Sequence, residues 1–350
     1  MWDIIIAGAG IIGVSLALEL RERGAKVLVF DRGGPGRESS SAAAGMLAPS
    51  DPETPGPLRL LAAESARLFP AFVRKLESLS KMQVDFRRHG SIALIEELHL
   101  PHTYRRLSSL ELQQLEPALR VQSYPAFFVQ EHSVDPDLLM QAALAAAKRF
   151  GVDIRGNTAV EQMRSAGGQV EVVAGGEHFT ARAAVNCCGA WSGAPVTPRK
   201  GQMLYLQPQK PDLLTHVVRA PEVYLLPRSS GKILVGATVE DVGYDKTVEP
   251  ETIGNLRRSA ASFVPELETA DVVASWAGLR PGTPDDLPIL GPAEMPGIFI
   301  ASGHFRNGIL LAPVTAQVMA DLIVGKSPEM DISQFSPTRF SLAQIQTQHS

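Results

Sequence analysis

The chain has 350 residues, 45% of them apolar and 20% charged, with a formal net charge of −4. That length allows about two domains with sizeable cores, and mild acidity without a basic run of five or more argues against a polyanion partner. No stretch reaches the roughly 18 apolar residues of a membrane span, and the only two cysteines, Cys187 and Cys188, are adjacent and cannot staple distant segments, so a reducing cytoplasm is expected.

The first 31 residues are the most informative. Asp3 to Ala7 is a short isoleucine-rich strand, Gly8-Ala9-Gly10-Ile11-Ile12-Gly13 a glycine-rich turn, and Ile11 to Arg23 an apolar-periodic helix that stops at Gly24. A second strand, Ala25 to Phe30, ends in Asp31. Strand, turn, helix and strand with a terminal acid is the pattern of a dinucleotide site. Gly8 allows the tight turn, Gly10 lets a pyrophosphate approach the backbone, Gly13 lets helix and strand pack closely, and Asp31 accepts the ribose hydroxyls. A secretory signal is rejected, because Asp3 stands where a basic residue should precede the apolar run.

Further along, residues 39–46 are mostly small, and prolines and a glycine between Asp51 and Pro57 mark a boundary ahead of a helix over Leu58 to Leu79. Val84 to Ile95 reads as a strand pair or one bent strand. Ser108 or Ser109 caps a short helix ending before Pro117, and Ala126 to Val129 is a strand. Asp135-Pro136 opens a helix over Asp137 to Phe150. Val152 to Met163, Gln169 to Val173 and Glu177 to Ala181 read as strands joined at Gly-Gly turns, followed by a buried strand over Ala183 to Cys188. Strands are predicted at Gln202 to Leu206, Val223 to Leu226 and Lys232 to Val239, and a helix over Pro250 to Phe263. Leu279 to Asp286 reads as a charged loop. A last strand, Ile298 to Ser302, and a helix over Ile309 to Val324 follow, with Pro313 tolerable only in the first turn.

This alternation predicts an α/β plus α+β protein. A Rossmann-like domain over 1–50, 133–196 and 277–330 interleaves with a substrate domain built on an antiparallel sheet over 51–132 and 197–276, and 331–350 form a peripheral tail. Interleaving favours a flavin, since a large cofactor can be gripped by distant segments.

Taken together, SSAAAGML at 40–47, YLLPRSSGKILVGAT at 224–238, WAGLRPGTPDDLPILG at 276–291 and GHFRNGILLAP at 303–313 resemble the FAD-dependent amino-acid oxidases of the D-amino-acid oxidase type. Within that family the chain is most similar to the glycine oxidases of thiamine biosynthesis. The resemblance runs from Ile4 to about Gly325.

The resemblance implies noncovalent FAD, held by Gly8, Gly10, Ile11, Ile12, Gly13, Asp31 and Arg32 at the adenosine and pyrophosphate. Ser39, Ser40, Ala43, Ala44, Gly45 and Met46 would run along the flavin, Val160 would meet the adenine, and Cys188, Gly189, Ala190 and Trp191 would close over the cofactor. Arg280, His304, Arg306, Asn307, Gly308, Ile309 and Leu310 would approach the ring, and the last helix N-terminus would favour its reduced anion. His304 reads equally as a satisfied turn histidine.

For the substrate, the resemblance implies that Arg280, with Tyr224, holds the carboxylate, and that Met46, Val239 and Arg306 bound the pocket. From the residues alone, Arg280 could equally form a surface pair with Asp285 or Asp286. Close relatives would carry methionine at Val239 and histidine at Glu222. The reaction implied is hydride transfer from a small amino acid with O2 as acceptor, without a side-chain base or metal. A homo-oligomer and hand-off of the imine to a thiazole synthase are implied partners. A quinone-linked D-amino-acid dehydrogenase and a sarcosine oxidase-like enzyme are the alternatives.

Overall fold

The computed structural model describes residues 1–97, 100–121 and 124–340. Its first sheet has eight strands. Five run parallel, in the order Asp153–Arg155, Val27–Phe30, Trp2–Ala7, Glu177–Asn186 and Ile298–Ser302. Gln169–Ala174 and Val160–Ala166 extend it as antiparallel hairpin strands, and Ile289–Pro292 turns back along Ile298–Ser302.

Alternation along each strand explains the unbroken apolar runs. Ile4, Ile6, Val27 and Val29 point into one core with the helices Ile11–Glu22, Arg59–Ser80, Pro136–Arg149 and Gly308–Ile323. Ile5, Leu28 and Phe30 point the other way, against Val170, Val172 and Phe179. Both faces are covered, so both parities must be apolar. Each such side chain contributes about 1.5–3 kcal/mol by leaving water.

The second sheet also has eight strands, in the order Asp271–Gly282, Thr197–Gln207, Ile233–Gly236, Tyr224–Pro227, Val217–Arg219, Ser91–Leu94, Ala126–Val129 and Tyr104–Arg106. All its pairs are antiparallel except Val217–Arg219 with Ser91–Leu94. The helices Ser109–Leu115 and Pro250–Phe263 flank it, and Leu256, Ala260 and Val264 pack into its core. Ser108 caps Ser109–Leu115 in a reciprocal capping box with Glu111. Met46–Leu47, His132–Val134 and Phe86–Arg87 form a small third sheet.

Several expectations are corrected. The stretch 279–282 is not loop but the end of the strand Asp271–Gly282, which runs past the expected boundary at 277. The run 152–163 splits into Asp153–Arg155 and Val160–Ala166, on different flanks of the first sheet. Phe86–Arg87 and Ser91–Leu94 lie in different sheets and so do not pair. The tail is not peripheral as far as residue 340. Phe335 is 2% exposed in the helix-side core, and Arg339 pairs with Asp285 at 2.8 Å. Residues 341–350 lie outside the described residues.

Pro313 lies inside the helix Gly308–Ile323, beyond its first turn. Ser65, buried on Arg59–Ser80, supports the chain there. Its hydroxyl donates to the Leu310 carbonyl at 2.6 Å and accepts from the Val314 N–H at 3.4 Å. A polar group thus enters the ladder beside the residue that lacks a donor.

Candidate functional site

Between the two large sheets lies one cavity of about 1010 Å³, at the upper end of the roughly 300–1,000 Å³ of ligand pockets. One end is the glycine turn. Gly8 has φ +100, and a Cβ there would sit 2.3 Å from the Cys187 carbonyl. A Cβ on Gly13 would lie 2.0 Å from the Gly8 carbonyl, so only glycine lets the helix approach its strand. Gly13 does this work from behind. It does not line the cavity, nor do Ala190 and Leu310.

The other implied cofactor residues do line it: Gly8, Gly10, Ile11, Ile12, Asp31, Arg32, Ser39, Ser40, Ala43, Ala44, Gly45, Met46, Val160, Cys188, Gly189, Trp191, His304, Asn307, Gly308 and Ile309. Two helices begin there, Ile11–Glu22 and Gly308–Ile323. Neither has a side-chain cap or an acidic residue in its first turn. The Ile11 N–H is taken by the Ser40 hydroxyl at 2.9 Å; the other first-turn N–H groups, without a carboxylate in that turn, suit the phosphates at one helix and an electron-rich ring at the other. Asp31 holds its own turn as well, accepting from the Ala9 N–H at 2.8 Å and the Gly33 N–H at 2.9 Å. The donor set and the glycine cradle therefore fit a dinucleotide.

The far end is built on the second sheet. Arg280, near the end of Asp271–Gly282, lines the cavity with Tyr224, Met46, Val239 and Arg306. Its Nη1 donates to the Thr238 carbonyl at 3.1 Å and more weakly to the Lys200 carbonyl at 3.4 Å. Asp285 is taken by Arg339, and among the described residues Arg280 makes no ion pair, which removes the surface-pair reading. Burial holds the guanidinium below its ordinary value; Tyr224 opposes that, and the Arg306 charge reinforces it. Burial likewise raises the Tyr224 phenol. A fork-shaped cation that faces the cavity and makes no ion pair among the described residues is suited to an incoming carboxylate.

Two glycines clear the space. A Cβ on Gly201 would lie 2.1 Å from Arg280 Nη1, and one on Gly236 would lie 2.7 Å from the Tyr224 hydroxyl. A glycine inside a strand signals such close approach. Arg228 was also not anticipated. It crosses from the second sheet to donate to the Ala44 carbonyl at 2.6 Å and the Val134 carbonyl at 3.0 Å, pinning the small-residue segment. Arg306 pairs with Glu53 at the cavity wall. Val239, 49% exposed, and Glu222 also line it. His304 is buried, 3.2 Å from the Thr315 hydroxyl, and burial pushes it down to about 3.

Residues 3–322 match the family described as DAO, FAD dependent oxidoreductase. The chain belongs to this family. It is similar to the glycine oxidase of Geobacillus kaustophilus, 36% identical over 97% of both chains, and the crystal structure of glycine oxidase from that organism superposes with a TM-score of 0.92, covering 97% of this chain and 99% of that one. It is also 36% identical, over 96% of its length, to a bifunctional protein ThiO/ThiG of Nostoc, of which it spans about 55%. The protein is therefore an FAD-dependent oxidoreductase of this family, similar over nearly its whole length to glycine oxidases. Among the described residues no helix is long and apolar enough to cross a membrane and no cluster could hold a metal.

Proposed function

We propose that the protein oxidises glycine and other small amines, sarcosine and small D-amino acids among them, with oxygen as acceptor. The observation that carries this reading is Arg280, set beside Tyr224 without a carboxylate partner in the cavity that also contains the dinucleotide turn. FAD, held noncovalently by the glycine turn at Gly8 to Gly13 and the two helix N-termini, would supply the two-electron chemistry for oxidation of the amine to an imine, hydrolysis of that imine by water and reduction of O2 to hydrogen peroxide.

The chain's own part is orientation and electrostatics. Arg280 grips the substrate carboxylate at two points, and Tyr224 adds a hydroxyl, fixing where the α-carbon lies. Met46 and Val239 limit what it can carry, and Arg306, paired with Glu53, closes the wall. His304, pushed down to about 3 and tied to Thr315, stays uncharged at neutral pH and is too weak a base to take the ammonium's proton, so the substrate amine arrives neutral without a histidine base. Likeness to ThiO/ThiG supports a further reading, that the imine passes to a thiazole synthase.

The test is anaerobic mixing with glycine, sarcosine and a panel of D- and L-amino acids, following the flavin absorbance, then admitting air. Glycine and sarcosine should bleach the flavin fast and D-alanine slowly, since one misfitting methylene costs about 1–3 kcal/mol. A higher specificity constant for D-phenylalanine than for glycine would overturn the substrate class. Slow recovery of colour in air would point to a quinone-linked enzyme instead.

A further inference from the structure

Residues 237–249, between the strand Ile233–Gly236 and the helix Pro250–Phe263, contain no strand or helix, and 241–247 are all exposed. This strap is rooted on the second sheet. Glu240 and Asp245 lie 3.3 and 3.6 Å from the Lys200 ammonium, and the Glu249 N–H donates to Gln202 at 2.8 Å. Its middle reaches across to the cofactor side. There the Tyr244 ring stacks on Trp191 at 5.7 Å and 28°, its hydroxyl donates to the Ala190 carbonyl at 2.9 Å, and Lys246 pairs with Glu38 at 3.0 Å.

Tyr244 is 54% exposed, a large aromatic spent on an outer surface. What it braces is the cavity wall. Trp191, Arg32 and Glu38 line the cavity next to Asp31, while Tyr244 does not. The Arg32 guanidinium lies 3.7 Å from the centre of the Trp191 ring, and Arg32 also pairs with Glu38 at 3.3 Å. Two of the strap's three cross-contacts thus fall on the Arg32, Trp191 and Glu38 group beside the residue placed for the adenosine ribose, and the third on Ala190 next to Trp191.

We propose that residues 240–249 form a gate over the adenosine end of the FAD site, latched by Tyr244 on Trp191. FAD enters and leaves there when the ring lifts. The latch consists of protein groups alone, so it closes with or without the cofactor. Loosening it speeds passage in both directions and leaves affinity nearly unchanged, because open and closed populations shift alike in free and bound protein. The proposal is independent of which amine the enzyme oxidises.

The test is Tyr244→Ala, with Tyr244→Phe keeping the stack but losing the bond to Ala190. Stopped-flow uptake of FAD by apoprotein and FAD release from holoenzyme, both followed by flavin fluorescence, should each rise on the order of ten-fold for alanine, with Kd moving less than about three-fold. Phenylalanine should fall between, and the melting temperature of the apoprotein should drop by only about 2 °C, the size of the lost latch. Unchanged rates would overturn the gate. So would faster release with a matching loss of affinity, which would make Tyr244 part of the grip, and so would a drop in apoprotein melting temperature several times larger, which would make the faster release a loss of fold.

Discussion

Gly201→Ala tests the seating of Arg280 without touching its charge. The added Cβ would stand 2.1 Å from Arg280 Nη1, whereas ordinary contact begins near 3.4 Å, so the guanidinium must move by about 1.3 Å, the difference of the two. The backbone at 201 is not in the left-handed region, so strain falls on the arginine head and its bond to the Thr238 carbonyl. A misplacement of about 1 Å in an orienting group costs on the order of a hundred-fold, or roughly 2.7 kcal/mol of transition-state stabilisation. We expect kcat/KM for glycine to fall by that factor while FAD absorbance per protein is unchanged. Oxygen consumption at varied glycine, with a flavin spectrum of each preparation, reads both. If the variant keeps more than about a third of the wild-type kcat/KM, a deficit near 0.7 kcal/mol, Arg280 does not seat the substrate where the cavity places it.

Three other outcomes follow from the site. FAD is noncovalent: burial pushes the Cys188 thiol up to about 11 and raises Cys187 further, so neither is a thiolate nucleophile at neutral pH, and acid precipitation should leave all the yellow colour in the supernatant; colour in the pellet would refute this. His304 stays neutral when folded but takes a proton near 6.5 when unfolded, so stability present above 6.5 is lost as pH falls toward 3, by about 2 kcal/mol at pH 5; His304→Gln should flatten that part of the denaturation-midpoint profile, and an unchanged slope would show that another group carries it. Ser65→Ala removes the hydroxyl that serves Leu310 and Val314 and should cost about 1–3 kcal/mol in urea unfolding; a loss under about 0.5 kcal/mol would mean that the helix closes around Pro313 unaided.

What the sequence disclosed was what depends on near neighbours. Gly8, Gly10 and Gly13 with Asp31 declare a dinucleotide turn because the turn, the helix start and the acid lie within one strand-helix-strand unit. Arg280 was recognisable by its motif, but not its strand, since Pro281-Gly282 reads as a stop. Asp271–Gly282 is an edge strand, paired only with Thr197–Gln207, and an edge tolerates a proline. Gly201 carried a readable signal, a glycine within a strand, without saying which side chain needed the space. Pro313 read as a limit on the helix because Ser65, far away in the chain, is invisible to local pattern. Nothing local marks the Glu53 and Arg306 pair, the docking of Phe335 or the stacking of Tyr244 on Trp191, all set by tertiary packing.

The central claim is that Arg280 anchors the carboxylate of a small amine within the flavin cavity, and Arg280→Ala kinetics test it most directly. Two charge-assisted bonds at about 1.5–3 kcal/mol each correspond to roughly a hundred-fold to ten-thousand-fold in kcat/KM, and water entering the vacated space should bring the loss toward the lower end. Arg280→Lys, which keeps the charge but not the fork, should fall between. The account predicts an alanine variant with its full flavin spectrum and at most about a hundredth of the wild-type kcat/KM for glycine. An alanine variant that binds FAD normally and retains more than about a tenth, a deficit under 1.4 kcal/mol, would contradict it.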